Sequence, residues 1–140
     1  MKRSHSYNSE LNFTASKNPI KLAIVGAGRA GEFHVESLLI NKQFSLQYIV
    51  DVDEDKANEL SKKASCLFHN DINWILNNGD IDAVIICTTT PTHYDLTMKS
   101  LQANKHVFCE KPLGKNIDEI TACFKMANSL NLKLLIAYQK

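Results

Sequence analysis

The sequence predicts a doubly wound α/β domain, a parallel sheet of about six strands flanked by helices. Three observations predict it. From Ile20 onward, short apolar runs alternate without exception with segments of helical periodicity. The first apolar run ends in a glycine-rich turn, and later helical segments open on an Asp or Asn able to cap them. Strands joined through helices lie parallel and are linked by right-handed crossovers. The length of 140 residues suits one domain with a single sizeable core. A hydrophobic share of 44% and a charged share of 22% exclude disordered and fibrous classes for the bulk of the chain.

The first strand is "IKLAIV", Ile20 to Val25, apolar enough to be buried on both faces. A helix is expected from about Arg29 to Ile40, with Ala30, Phe33, Ser37 and Leu38 on one face. "FSLQYIV", Phe44 to Val50, is rich in aromatic and β-branched residues and forms the second strand. Asp53 can cap a helix running through about Lys63. "CLFH" is a short third strand, after which Asp71 caps the brief helix "INWILNN", closed by Gly79. "AVIIC", Ala83 to Cys87, is the clearest buried strand. Past "TTTPTH" come a helix through about Ala103 and the fifth strand "KHVFC". Asn116 caps a helix from Ile117 to about Leu130, and "KLLIAY" is the sixth strand.

Residues 1–19 are polar and lack the apolar stretch of a secretory signal. Their single arginine and missing apolar face suit a mitochondrial presequence poorly, so they read as a flexible extension preceding a domain over residues 20–140. No apolar run reaches the roughly 18 residues that a membrane span needs. The net charge is +1, with no basic block beyond the first three residues, which argues against a nucleic-acid partner. Cys66, Cys87, Cys109 and Cys123 form no C-x-x-C pair, and two of them fall in apolar runs. They read as reduced core thiols of a cytoplasmic protein, with no metal site.

The strongest motif is "GAGRAG", Gly26 to Gly31, a G-x-G-x-x-G set between the first strand and first helix. Gly26 permits the tight turn, Gly28 lets a pyrophosphate approach the backbone, and Gly31 lets helix and strand pack closely. The free N–H groups at the helix start then receive the anion. A glycine-rich turn without a ligand is the alternative. Asp51, at the end of the second strand, can accept hydrogen bonds from both hydroxyls of an adenosine ribose and repels a 2′-phosphate, which favours NAD over NADP. Alternatively Asp51, Asp53, Glu54 and Asp55 are only a solvated capping cluster. The Rossmann-type sheet places Thr88, Thr89 and Thr90 on its carboxyl edge, where they line a cofactor or cap the next helix. His93 follows on that helix's first turn as an orienting residue, without a role in proton transfer.

Together "GAGRAG", Asp51 in "IVDVD", "TTTPTH" and "ANKHVFCEKPLGKN" resemble the N-terminal domain of the glucose–fructose oxidoreductase / inositol dehydrogenase (Gfo/Idh/MocA) family of NAD(P)-dependent dehydrogenases. "TTTPTH" and the closing "AYQK" look most like the inositol 2-dehydrogenase branch. Asn104 replaces a more usual glycine in a helix-to-strand turn, where asparagine tolerates a left-handed backbone. The resemblance implies cofactor contacts from Gly26, Gly28, Arg29, Ala30, Gly31, Asp51, Thr88, Thr89, Thr90, His93, Glu110, Lys111 and Pro112. It implies that Lys111, partly buried and anchored by Glu110, bonds a substrate hydroxyl near the nicotinamide and assists proton transfer. Pro112 would follow a cis peptide bond that turns both residues into the cleft. It further implies a polyol or sugar substrate and dimers or tetramers for a complete chain. The family's second C-terminal domain, which supplies most of the substrate pocket, has no counterpart after "AYQK". The chain therefore reads as the cofactor half of a dehydrogenase or, in another class, as a non-catalytic NAD(P)-sensing module.

Overall fold

Apolar side chains on both faces of Ile20–Val25 make this first strand, β1, a central one. In the computed structural model, which describes residues 18–138, β1 pairs in parallel with β2 (Phe44–Val50) and β4 (Ala83–Ile86). With β3 (Leu67–His69), β5 (His106–Cys109) and β6 (Leu134–Ile136) the sheet runs β3-β2-β1-β4-β5-β6, parallel throughout. The expected extension lies outside the described residues over 1–17. The chain leaves β1 towards one edge and returns at β4 towards the other. That reversal makes the switch point at which ligands bind in open α/β sheets.

Alternation along the strands divides the core in two. Leu22, Ile24, Ile49 and Ile85 pack with helices α1 (Arg29–Leu39) and α2 (Glu54–Ala64) through Val35, Ala57 and Leu60. Val25, Val84, Ile86 and Val107 face the other way, among Ile75, Leu101 and Cys123 of α3 (Ile72–Leu76), α4 (His93–Gln102) and α5 (Ile117–Ser129). Capping follows the sequence closely. Asp53 accepts from the N–H groups of Asp55 and Lys56, Asp71 from that of Asn73, and Asn116 from that of Glu119. Asn104 has a φ of 64°, the left-handed conformation expected of it.

Three expectations change. The inward face of α1 is Gly31, Val35 and part of Leu38, while Phe33 is 65% exposed and Ser37 also faces water. The close contact of Gly31 with the glycine turn sets the helix rotation, and large side chains do not. α3 stops at Leu76, because the Asn78 N–H bonds the Ile75 carbonyl, three residues back, instead of the Trp74 carbonyl that would continue the helix. β6 is shorter than "KLLIAY", since its pairing ends where β5 ends, at Cys109 opposite Ile136.

On the side of α1 and α2, the half-sheet beyond β1 is not covered by a helix among the described residues. Ile20, Leu38, Ala83, Ile85, Phe108 and Leu135 line a trough there of about 490 Å³, and Leu135 is 61% exposed.

Candidate functional site

Because every strand runs the same way, the turns after β2, β1, β4 and β5 open side by side on one edge. The β1 turn is held to both neighbours: the Gly26 N–H donates to the Val50 carbonyl and the Cys87 N–H to the Val25 carbonyl, each at 2.7 Å. Gly26 has a φ of 108°, and a Cβ there would stand 2.6 Å from the Cys87 carbonyl. A Cβ on Gly31 would stand 2.1 Å from the Gly26 oxygen, so α1 is pressed directly against the turn. Gly28 differs, since a Cβ there meets nothing within 4 Å. It is the N-cap of α1 and supplies no side-chain cap to the first N–H groups of that helix. The result is an open approach to an anion-receiving helix end.

Asp51 is fastened beside this turn. Its Oδ2 accepts from the Ala27 N–H at 2.8 Å and its Oδ1 from the Asp53 N–H at 2.9 Å. Asp53 caps α2, as expected, but Asp51 is engaged as well: it locks the glycine turn to the start of α2. Each carboxylate oxygen retains capacity for a further hydrogen bond. Both features border a cleft of about 530 Å³, lined also by Val25, Val50, Val52, Lys56, Asn70, Ile72, Cys87, Thr88, Thr89, Thr92 and Leu96. Sequence reasoning missed Val52, Lys56, Asn70, Ile72 and Leu96. The only signal for Asn70 and Ile72 was a position just after β3, which matters once β3 is known to lie beside β2.

The remaining expected residues divide. Arg29 and Ala30 open α1 next to Gly28 but are not among the cleft's lining residues. Thr90 and Pro112 line a neighbouring hollow of about 360 Å³ with Tyr94, Asp95, Lys115 and Glu119. The Thr88 and Thr92 hydroxyls bond each other at 2.7 Å, and the Thr92 hydroxyl donates to the Thr89 carbonyl, so these side chains also stitch their own turn. His93 is 2% exposed and lies behind that turn, away from the cleft. Its Nδ1 stands 2.8 Å from the Pro112 carbonyl and its Nε2 2.9 Å from the Thr88 carbonyl, which ties the β4 and β5 turns together. Both ring nitrogens are thus turned to loop carbonyls, as an orienting residue requires.

At the end of β5 the Lys111–Pro112 bond is cis. Glu110 is half-buried, and the His34 Nε2 donates to its Oε1 at 2.6 Å. Lys111 is exposed, where partial burial was expected, and stands one strand along the edge from the cleft.

All four cysteines are free. Burial, with a smaller contribution from the Glu110 carboxylate, pushes the Cys87 thiol up to about 12. Burial likewise takes Cys66, Cys109 and Cys123 to about 11. Since the thiolate is the nucleophile, titration with an aromatic disulfide at about pH 8 should label the native chain slowly and all four sites after denaturation. Rapid native labelling of the half-buried Cys87 would contradict the raised pKa of its thiol. No cluster of three metal-ligating side chains and no helix long and apolar enough to cross a membrane exists among the described residues.

A cleft with an anion-receiving helix end at its centre and an anchored carboxylate on one flank is the seat of a dinucleotide-binding domain. The profile of the oxidoreductase family with an NAD-binding Rossmann fold, GFO_IDH_MocA, matches residues 20–138, and the chain belongs to that family. It is 31% identical over 121 residues to an inositol 2-dehydrogenase of Rhizobium meliloti and 30% identical over 122 residues to a myo-inositol 2-dehydrogenase of Thermotoga maritima. In both cases the match covers 86% of this chain and 36% of the relative. The structure of apo scyllo-inositol dehydrogenase from Lactobacillus casei superposes with a TM-score of 0.78 at 29% identity, covering 86% of this chain and 36% of that one. The chain thus spans about a third of the length of these relatives.

Proposed function

We propose that this domain binds NAD in the cleft beside Gly28 and Asp51 and serves a dehydrogenase that oxidises a secondary alcohol of a polyol or sugar in the cytoplasm. The observation that carries the reading is the pairing of an open Gly28 with the anchored Asp51 carboxylate on one cleft. The residues fit the group: a missing Cβ leaves room for a pyrophosphate, and Asp51 keeps acceptor capacity for ribose hydroxyls while repelling a 2′-phosphate. When bound, the nicotinamide supplies hydride acceptance. The chain's own part is to hold the nucleotide across the β2-β1-β4 edge and to present Lys111 at the next strand end. There the Lys111 amine bonds the substrate hydroxyl and takes up its proton. The inositol dehydrogenases among the relatives support a cyclic polyol as substrate. Oligomers would belong to the complete enzyme.

One observation favours a non-catalytic sensing module: Lys111 is exposed beside the cleft and not enclosed by it. Calorimetry with NAD, together with a myo-inositol oxidation assay on this chain, tests the cofactor site that both readings share. NAD should bind weakly, without turnover, because no closed pocket among the described residues orients a substrate. Failure to bind NAD would overturn the proposal. In a complete enzyme, Lys111→Ala should lower turnover roughly a hundredfold or more while changing NAD affinity only a few-fold. Unchanged turnover there would favour the sensor.

A further inference from the structure

We propose that His34 is a positioning residue: through the Glu110 carboxylate it ties the turn carrying Lys111 to the helix that receives the pyrophosphate. The inference rests on the dinucleotide reading above and adds a role for a residue outside every recognised motif.

The geometry follows from strand alternation. Val107 and Cys109 of β5 point into the core beneath α4 and α5, so Phe108 and Glu110 point to the opposite side, where α1 lies. His34 is on α1, and its ring sits edge-on to Phe108 with centroids 5.3 Å apart. That contact aims Nε2 at Glu110 Oε1, 2.6 Å away. The two side chains are only 14% and 25% exposed, so water competes weakly for the bond. A hydrogen bond to a carboxylate in such surroundings is short and directional.

The other end of α1 makes the contact consequential. Gly31 abuts the Gly26 carbonyl, and α1 cannot shift without moving the glycine turn. One rigid helix therefore carries both the anion-receiving N–H groups and the imidazole that grips Glu110. From the opposite face His93 holds the Pro112 carbonyl. Lys111 thus lies between two residues that are each fixed by a histidine from a different helix.

The order of strands says which half of a dinucleotide feels this. Asp51 is at the end of β2 and Gly28 follows β1, whereas Glu110 lies beyond β4 at the end of β5. A nucleotide anchored by Asp51 and Gly28 meets the Glu110 turn with its nicotinamide half, and ADP-ribose, which lacks that ring, does not depend on the turn.

Calorimetric titration of the chain with NAD and with ADP-ribose tests this. His34→Ala should bind ADP-ribose within about twofold of the parent yet lose roughly ten- to hundredfold towards NAD, the loss expected of one charge-assisted hydrogen bond. His34→Gln, whose amide can donate to the same oxygen, should recover most of the loss. Glu110→Ala, which removes the acceptor, should show the same NAD-selective loss, and the double variant with His34→Ala should lose little more than either single one. Equal loss of both nucleotides, no loss, no rescue by glutamine or additive losses would each overturn the role of His34 alone. A parent chain that binds neither nucleotide would overturn the dinucleotide reading, and this inference with it. Thermal unfolding of each variant identifies a general loss of structure. Should His34→Ala unfold, Glu110→Ala and His34→Gln decide.

Discussion

Gly28→Ala should melt close to the parent chain and bind a dinucleotide roughly ten- to hundredfold more weakly, whereas Gly31→Ala should lose stability first. The two glycines belong to one motif but face different surroundings. A Cβ on Gly28 enters open space, and its backbone, with φ −83° and ψ −160°, suits alanine. Alanine is a poorer N-cap, but the effect on folding is on the order of half a kcal/mol. That same Cβ occupies the path by which a pyrophosphate reaches the N–H groups of α1. Losing one or two charge-assisted hydrogen bonds weakens binding roughly ten- to hundredfold. On Gly31 the Cβ would lie 2.1 Å from the Gly26 carbonyl oxygen, and both partners are backbone. Relief requires α1 to move off the sheet, at a cost of about 3 kcal/mol or a melting temperature lowered by about 10 °C. Scanning calorimetry and NAD titration of the two variants read both effects. Full NAD affinity in Gly28→Ala would remove the helix end from the site.

The second large effect concerns Asp51. Asp51→Asn should lower NAD affinity roughly ten- to hundredfold and bring the affinities for NAD and NADP together. The carboxylate has two tasks in the structure. It accepts the Ala27 and Asp53 N–H groups, which fixes the glycine turn against α2, and it places negative charge on the flank of the cleft. An amide has one acceptor oxygen, so one of those N–H groups loses its partner and the repulsion of a 2′-phosphate disappears. Titration of parent and variant with both cofactors measures the change. A parent that binds NADP more tightly than NAD would contradict the charge argument. Lys56, which also lines the cleft, would then be the first residue to examine for a phosphate contact.

Much of the fold was legible because its signals are local. Apolar runs mark strands, and Asp53, Asp71 and Asn116 mark helix starts through hydrogen bonds made within three residues. The glycine turn was legible for the same reason, since each glycine answers a steric demand of the chain close to it or of the strand alongside. The rotation of α1 was not. Helical periodicity favours the large Phe33, but a backbone contact at Gly31 turned Val35 inward and left Phe33 exposed. The site residues divide in the same way. Gly28, Asp51, Thr88 and Thr89 line the cleft as expected, whereas Lys111 stands beside it and His93 behind it.

By itself the sequence determined the strand–helix alternation, the caps, the glycine turn and the carboxylate that ends β2, because each is decided by neighbours a few residues away. Only the tertiary structure decided which distant groups meet. It brought Asn70 and Ile72 to the cleft of Asp51, joined His34 to Glu110 across 76 positions, and left the half-sheet under Phe108 and Leu135 without a helix across it among the described residues. The physical reason is that those meetings depend on strand order and on the face to which each crossover returns. Residue periodicity carries information about the face of one element, and none about which element lies beside it.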